Sequence, residues 1–431
     1  MYTSYIGFKF LDLYNRRTGN LYTAEEFFDK ELYPLFFDDD RHLMHVSNSP
    51  FFQSPSDKEL KQSGLTRSKL QYQKLKQKIA QVAILESEQP DASIYVGYAA
   101  NGPDQTTAGQ VSNITWETST NELYASWIGN ALCARVEGSQ CLLIDSGPVL
   151  WHLYEGWKVY RQYIQPIKQM DGRQIETWNG YWLAKGSLNT MAAPPIKGNK
   201  LDTYPWVEVL ASLLQWHSSQ TLPVYIFSLG QTNTTYGFIN IHFPQLQCLD
   251  EAHHTLKQVI FSYKADDALF WQQYEPDFSL REACQFGEIG LQSLRPKDFG
   301  KLMEGKYSPV KFTDKNKQTF FNIQTWILAM LNNKSDLQQL ASELAAELVT
   351  AESKGNGKDR GLMKDNADSK ALFEAKGLTS FIEALTIFLE KDQIAKAVCK
   401  AVVDRSIRIP GEQFPLFKAL IRFEYAFQKN K

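Results

Sequence analysis

The sequence predicts an α+β protein, with a mixed α/β N-terminal domain followed by a C-terminal four- or five-helix bundle. Three observations carry this. Nine of the ten Trp and nineteen of the twenty Tyr precede Thr313. Beyond it, apolar residues recur at heptad-like spacing through Ala/Leu/Lys/Glu-rich stretches, and only Pro410 and Pro415 punctuate them. Upstream, PVYIFSLG and YGFINIHF flank QTNTT and read as a β-hairpin. The change of texture divides the chain at 1–305 and 306–431, with Met303 just ahead of the junction.

The elements follow in order. YIGFKFLDLY alternates apolar positions and reads as a strand, with NRRTGN as its turn. Thr23 caps a helix, and Glu26 completes a capping box. FFDDDRH is an acidic patch, and 49–64 is a Pro- and Gly-marked loop. Residues 66–85 form an amphipathic helix on Leu70, Leu75, Ile79, Val82 and Ile84. SIYVGY (93–98) reads as a strand, 99–113 as a polar loop and 114–146 as strands ending in CLLIDSG. Helix is expected at 149–165 and 205–217, a long loop at 178–200, and helices mixed with loops at 250–300. In the tail, Asp314–Leu331 is one helix and Ser335 caps the next. SKGNGKDRG (353–361) is a basic loop, and 378–390, 392–403 and 414–427 complete the bundle.

Composition narrows the class. At 431 residues, 43% hydrophobic and 22% charged, the chain matches folded globular proteins, with length enough for two or three cores. No apolar run reaches the ~18 residues of a membrane span. MYTSYIGFKFLDLY lacks the basic region and cleavage site of a signal peptide. The five cysteines, Cys133, Cys141, Cys248, Cys284 and Cys399, form no C-x-x-C pair, so zinc-ribbon and redox motifs are not expected. A cytoplasmic, non-membrane protein without a cofactor is the expectation.

The chain carries no phosphate-binding loop, dinucleotide fingerprint, H-E-x-x-H or G-x-S-x-G. Adjacent His253 and His254 point about 100° apart on a helix and do not readily share a metal; an exposed helix start is the plainer reading. His42 and His45 beside Asp38–Asp40 suit a solvated turn better than a cation site. Asp145, at a strand end, sits where nuclease carboxylates often sit, but SGPVLW lacks the second carboxylate and the lysine. Neither a catalytic residue nor a metal ligand is assigned.

The net charge of −2 conceals segregation. Residues 60–85 hold basic side chains and no acid, and 156–200 and 395–431 are strongly basic. Lys and Arg hold phosphates, while amides and hydroxyls read base edges. The candidate nucleic-acid contacts are therefore Arg67, Lys69, Lys74, Lys76 and Lys78 on the 66–85 helix. To these are added Asn101, Gln105, Thr106, Thr107 and Asn113 in one loop, and Lys185, Ser187, Asn189, Lys197 and Asn199 in another. In the tail the candidates are Lys358, Arg360, Arg405, Arg408, Lys418 and Arg422. Trp151, Trp157, Tyr160, Tyr163, Trp178, Tyr181 and Trp182 either stack bases or form core, and core is the commoner fate.

The opening YIGFKFLDLYNRRTGNLYTAEEFF, the tail FPLFKALIRFEYAF and the two-part organisation resemble the large subunit of type I CRISPR surveillance complexes (Cascade), the Cas-eight family, nearest its I-B and I-A branches. The resemblance implies a non-catalytic subunit that recognises the protospacer-adjacent motif (PAM) in duplex DNA, helps open it and recruits a helicase–nuclease. The implied partners are guide RNA, target DNA, the backbone subunits, the 5′-handle-binding subunit and small subunits. The helical tail resembles the small subunit, which several such systems make from an internal start; Met303 and Met330 are the candidates, and only Met303 keeps the first helix of the tail. Some relatives carry a Cys-rich zinc site that the scattered cysteines here do not match. The alternatives are a divergent metal-dependent nuclease, using Asp145 or His253/His254, and a protein–protein scaffold whose basic strips meet acidic partners.

Overall fold

The computed structural model describes residues 1–45, 49–84, 93–97, 118–186, 193–228, 235–259, 267–300, 317–332, 334–354 and 367–429. They form a mostly helical α+β protein with two compact units, one of residues 1–243 and 280–289 and the other of 244–279 and 290–431.

The first unit opens with a correction. YIGFKFLDLY is not a strand but part of helix α1, Tyr2–Thr18. Its buried set, Thr3, Ser4, Ile6, Gly7, Phe10, Leu11 and Tyr14, follows a helical period, and Gly19 ends it in the left-handed conformation. Thr23 and Glu26 form the expected capping box at the start of α2, Ala24–Phe27. The chain then widens into a π-helical segment, Phe28–Phe37. Helices α3 (Asp57–Ser63) and α4 (Arg67–Ile84) follow. The 93–97 part of SIYVGY is a turn, not a strand, and seals the core with Ile94 and Tyr95.

The strands expected across 114–146 are only partly present. Residues Thr120–Ala131 are helix α5, started by a Ser119/Glu122 capping box. Strands β1 (Ala134–Arg135) and β2 (Gln140–Ile144) come after it. Helix α6, Gly147–Ile164, matches expectation. The predicted 178–200 loop is overturned in its first part, because Ile175–Lys185 is helix α7. Buried from Ile175 to Leu183, α7 has no polar face and so no amphipathic signature. A short ribbon, β3 (Ile196–Lys197) and β4 (Lys200–Leu201), follows, then α8 (Trp206–Ser212) and α9 (Leu214–His217).

The expected hairpin is β5 (Thr221–Ser228) with β6 (Thr235–His242). The chain continues through α10 (Phe243–Val259), α11 (Asp267–Gln273), α12 (Leu280–Ala283) and β7 (Glu288–Ile289). The main sheet runs β1-β2-β5-β6-β7, antiparallel except for the β6/β7 pair. Its core includes Leu142, Val224, Ile226 and Ile241, while Phe10, Phe27, Phe28, Phe36, Phe37, Trp127 and Trp157 form an aromatic core among the helices.

In the second unit the helical C-terminal region comprises α13 (Lys317–Met330), α14 (Ser335–Lys354), α15 (Ala367–Glu374), α16 (Leu378–Glu390), α17 (Lys396–Arg408) and α18 (Phe414–Lys429). These packed helices are the expected C-terminal helical region, with the short α15 as an addition that has no counterpart in the sequence reading. Buried Glu424 joins three of them, accepting from Gln324 Nε2 at 2.6 Å and Gln338 Nε2 at 2.8 Å. The unit also includes the segment before α13. Trp326 Nε1–H donates to the Leu291 carbonyl at 2.6 Å, and Phe321 packs edge-on against His253.

Candidate nucleic-acid interface

On α4 the apolar stripe Leu70, Leu75 and Ile79 is buried, which turns the lysines to the flanks. Three of the lysines have protein partners. Lys74 pairs with Glu59 at 2.7 Å. That contact and the Ser56 N–H pull the Glu59 carboxyl down to about 2. Lys76 pairs with Asp29 at 2.8 Å and lies 4.8 Å above the Tyr72 ring. Lys78 donates to Ser93 Oγ. The three tie α4 to its neighbours. Arg67 and Lys69, at the start of the helix, are exposed and make no ion pair among the described residues.

Asn101, Gln105, Thr106, Thr107 and Asn113 lie outside the described residues, as do Ser187, Asn189, Lys358 and Arg360. Lys185 is in the last turn of α7 and pairs with the buried Glu208 at 2.8 Å. Lys197 and Asn199 come together on the β3–β4 ribbon, where Gly198 and Asn199 make the turn. Arg405 pairs with Asp336, and Arg408 is exposed at the end of α17. Lys418 Nζ–H donates to the Ala375 carbonyl just past α15, and burial lowers its pKa. Arg422, one turn farther along α18, is half-buried.

The residues considered for catalysis are engaged otherwise. Asp145 accepts from Tyr5 Oη at 2.9 Å and pairs with Lys9. His253 and His254 lie within α10 rather than at a helix start. His253 is buried and stacks on Phe270 at 4.1 Å, and exposed His254 pairs with Asp250 at 3.4 Å. His42 Nε2 contacts Gln71 Oε1 at 3.0 Å, and burial pushes His45 down to about 4. Among the described residues no three His, Cys, Asp or Glu side chains are arranged to hold a metal, and no helix is long and apolar enough to cross a membrane.

Trp157, Tyr160, Trp178, Tyr181 and Trp182 are core. Trp151, under the Arg17 guanidinium, and Tyr163 are half-buried. The exposed aromatic cluster lies elsewhere and escaped the sequence reading: Tyr2 meets Tyr5, Tyr225 and Phe238 at centroid distances of 5.8, 4.8 and 4.8 Å. Phe238 is 62% exposed and Tyr5 49%. The signal was the i,i+3 spacing of Tyr2 and Tyr5, visible only once the segment is read as helix. Compared with known protein families, curated proteins and solved structures, the chain matches none.

Proposed function

We propose that the chain is a non-catalytic, nucleic-acid-recognising large subunit of a type I CRISPR surveillance complex. In this role it reads the PAM in duplex DNA, aids strand opening and recruits the helicase–nuclease. It acts beside guide RNA, the backbone subunits, the 5′-handle-binding subunit and small subunits in the cytoplasm. The observation that carries the proposal is the organisation of the chain: an α+β N-terminal half with a five-stranded sheet, then a C-terminal region of packed helices. It accompanies the likeness of the opening and tail segments to that family. Embedding in an assembly also reconciles a near-neutral net charge with local basic tracks, and guide pairing leaves the protein only a few contacts to make. Affinity purification of the full chain from its native host tests the reading. A defined small RNA and several further subunits should co-purify. Recovery of the chain without nucleic acid, or with metal-dependent nuclease activity lost on Asp145→Ala, would replace it.

A further inference from the structure

The β3–β4 ribbon carries cations on a rigid base. Lys197 and Lys200 face each other across its two strands. The Gly198–Asn199 turn leaves its tip narrow, and Gly198, at φ 64°, adopts a backbone that favours glycine. The ribbon is fastened to the segment before α7 by three hydrogen bonds, two at its turn residue Asn199 and one at Leu201. Asn199 Nδ2–H donates to Asp171 Oδ1 at 2.6 Å, the Asp171 N–H to the Asn199 carbonyl at 2.9 Å, and the Leu201 N–H to Gln174 Oε1 at 2.5 Å. Gln174 is itself buried. The same segment presents Lys168, three positions ahead of Asp171, and Arg173, whose guanidinium lies 5.4 Å over the exposed Phe52 ring.

Lys168, Arg173 and Lys197 are exposed and make no ion pair among the described residues. Lys200 is 3.5 Å from Asp171 with its side chain 65% exposed. Between residues 168 and 200 the acids are Asp171 and the buried Glu176, so this stretch of chain carries more cations than anions. α4 is different, since there Lys74 and Lys76 are matched by acids. A fixed, positively charged, narrow projection complements a surface of closely spaced negative charge. Duplex nucleic acid supplies one charge per ~1.7 Å of axis, and a ribbon backbone already held in place reduces the entropy lost on binding.

We infer that this ribbon and the adjoining turn are a phosphate-backbone contact for double-stranded nucleic acid, held in place by Gln174 and Asp171. The inference rests on the nucleic-acid reading above. Lys168, Arg173, Lys197 and Lys200 bind phosphates; Gln174 is a positioning residue that touches no ligand.

The test measures binding of the full chain to a mixed-sequence DNA duplex across a salt series. Lys168→Ala/Arg173→Ala/Lys197→Ala/Lys200→Ala should flatten the log–log salt slope by about 0.9 per lost contact, with an unchanged melting temperature. Gln174→Ala should weaken binding and leave the slope closer to wild type, because the charges remain while their positions loosen. If the quadruple variant keeps the wild-type slope while Arg67→Ala/Lys69→Ala lowers it, the chain binds nucleic acid elsewhere and only the ribbon assignment falls. Failure of the wild-type chain to bind duplex or single strands overturns both readings. Binding instead to anionic lipid vesicles, lost in the quadruple variant, would make the ribbon a membrane contact and overturn the assignment.

Discussion

Glu176 is a buried carboxyl of the first unit. It lies in the first turn of α7 and receives the His45 N–H at 3.3 Å. Burial raises its carboxyl from 4.5 to about 7. The folded protein therefore holds a proton that the unfolded chain releases earlier. Stability from this group is fully present below about pH 4.5 and is lost as pH rises through about 7, an effect of at most about 3 kcal/mol. Glu176→Gln should abolish that loss, so denaturant midpoints of variant and wild type should diverge in the variant's favour between about pH 5 and pH 8. Lys185 illustrates a second residue-scale point. Its proximity to Gly in the sequence suggested a loop contact to nucleic acid, yet it pairs with buried Glu208. Lys185→Ala should cost about 3 kcal/mol by stranding that carboxylate, measured by urea unfolding. A loss of duplex affinity without a loss of stability would return Lys185 to the interface.

At the scale of elements, α1 and α5 show how close approach depends on small residues. A Cβ on Gly7 would collide with the Ala125 carbonyl oxygen, and one on Gly129 with the Thr3 carbonyl oxygen. Gly7→Ala should therefore destabilise the protein by about 3 kcal/mol, the upper end for overpacking because the obstacle is backbone, seen as a lower thermal midpoint. The misreading of α1 has the same origin. Phe8 and Phe10 alternate as in a strand, but 37% exposed Phe8 and buried Phe10 are sorted by a period of 3.6 set by packing on α5. The α5 helix is read as strand from the sequence although Ser119 and Glu122 stand at capping-box spacing. The amphipathic α4 and α16 and the β5–β6 hairpin were legible because one face of each is wet and the pattern alternates accordingly.

For the whole molecule, the second unit's core includes residues upstream of the texture change. Trp326 is satisfied by Leu291 and packs on Phe299 at 4.7 Å, Phe321 meets His253 and Phe270, and Asn322 Nδ2–H donates to the Gln273 carbonyl at 3.2 Å. A chain beginning at Met303 would keep α13 but lack these cover residues. A fragment of residues 244–431 should unfold cooperatively, whereas 303–431 should melt broadly and bind a hydrophobic dye. A sharp, reversible transition for 303–431 by circular dichroism would show instead that the tail needs no such cover and would strengthen the idea of a separate internal-start product.

The sequence by itself determined the class of the protein, the hairpin, the helical tail and the segregation of basic residues. All of these rest on local patterns: periodicity, caps and composition. Tertiary structure alone decided which cations remain free. Lys74 meets Glu59 from another helix, Lys185 meets Glu208, and Lys197 meets no acid among the described residues. It likewise decided that Trp178 and Trp182 are core while Tyr5 and Phe238 face solvent. The physical reason is that a charge or ring takes its role from what lies within a few ångströms, and those neighbours are often distant in the chain.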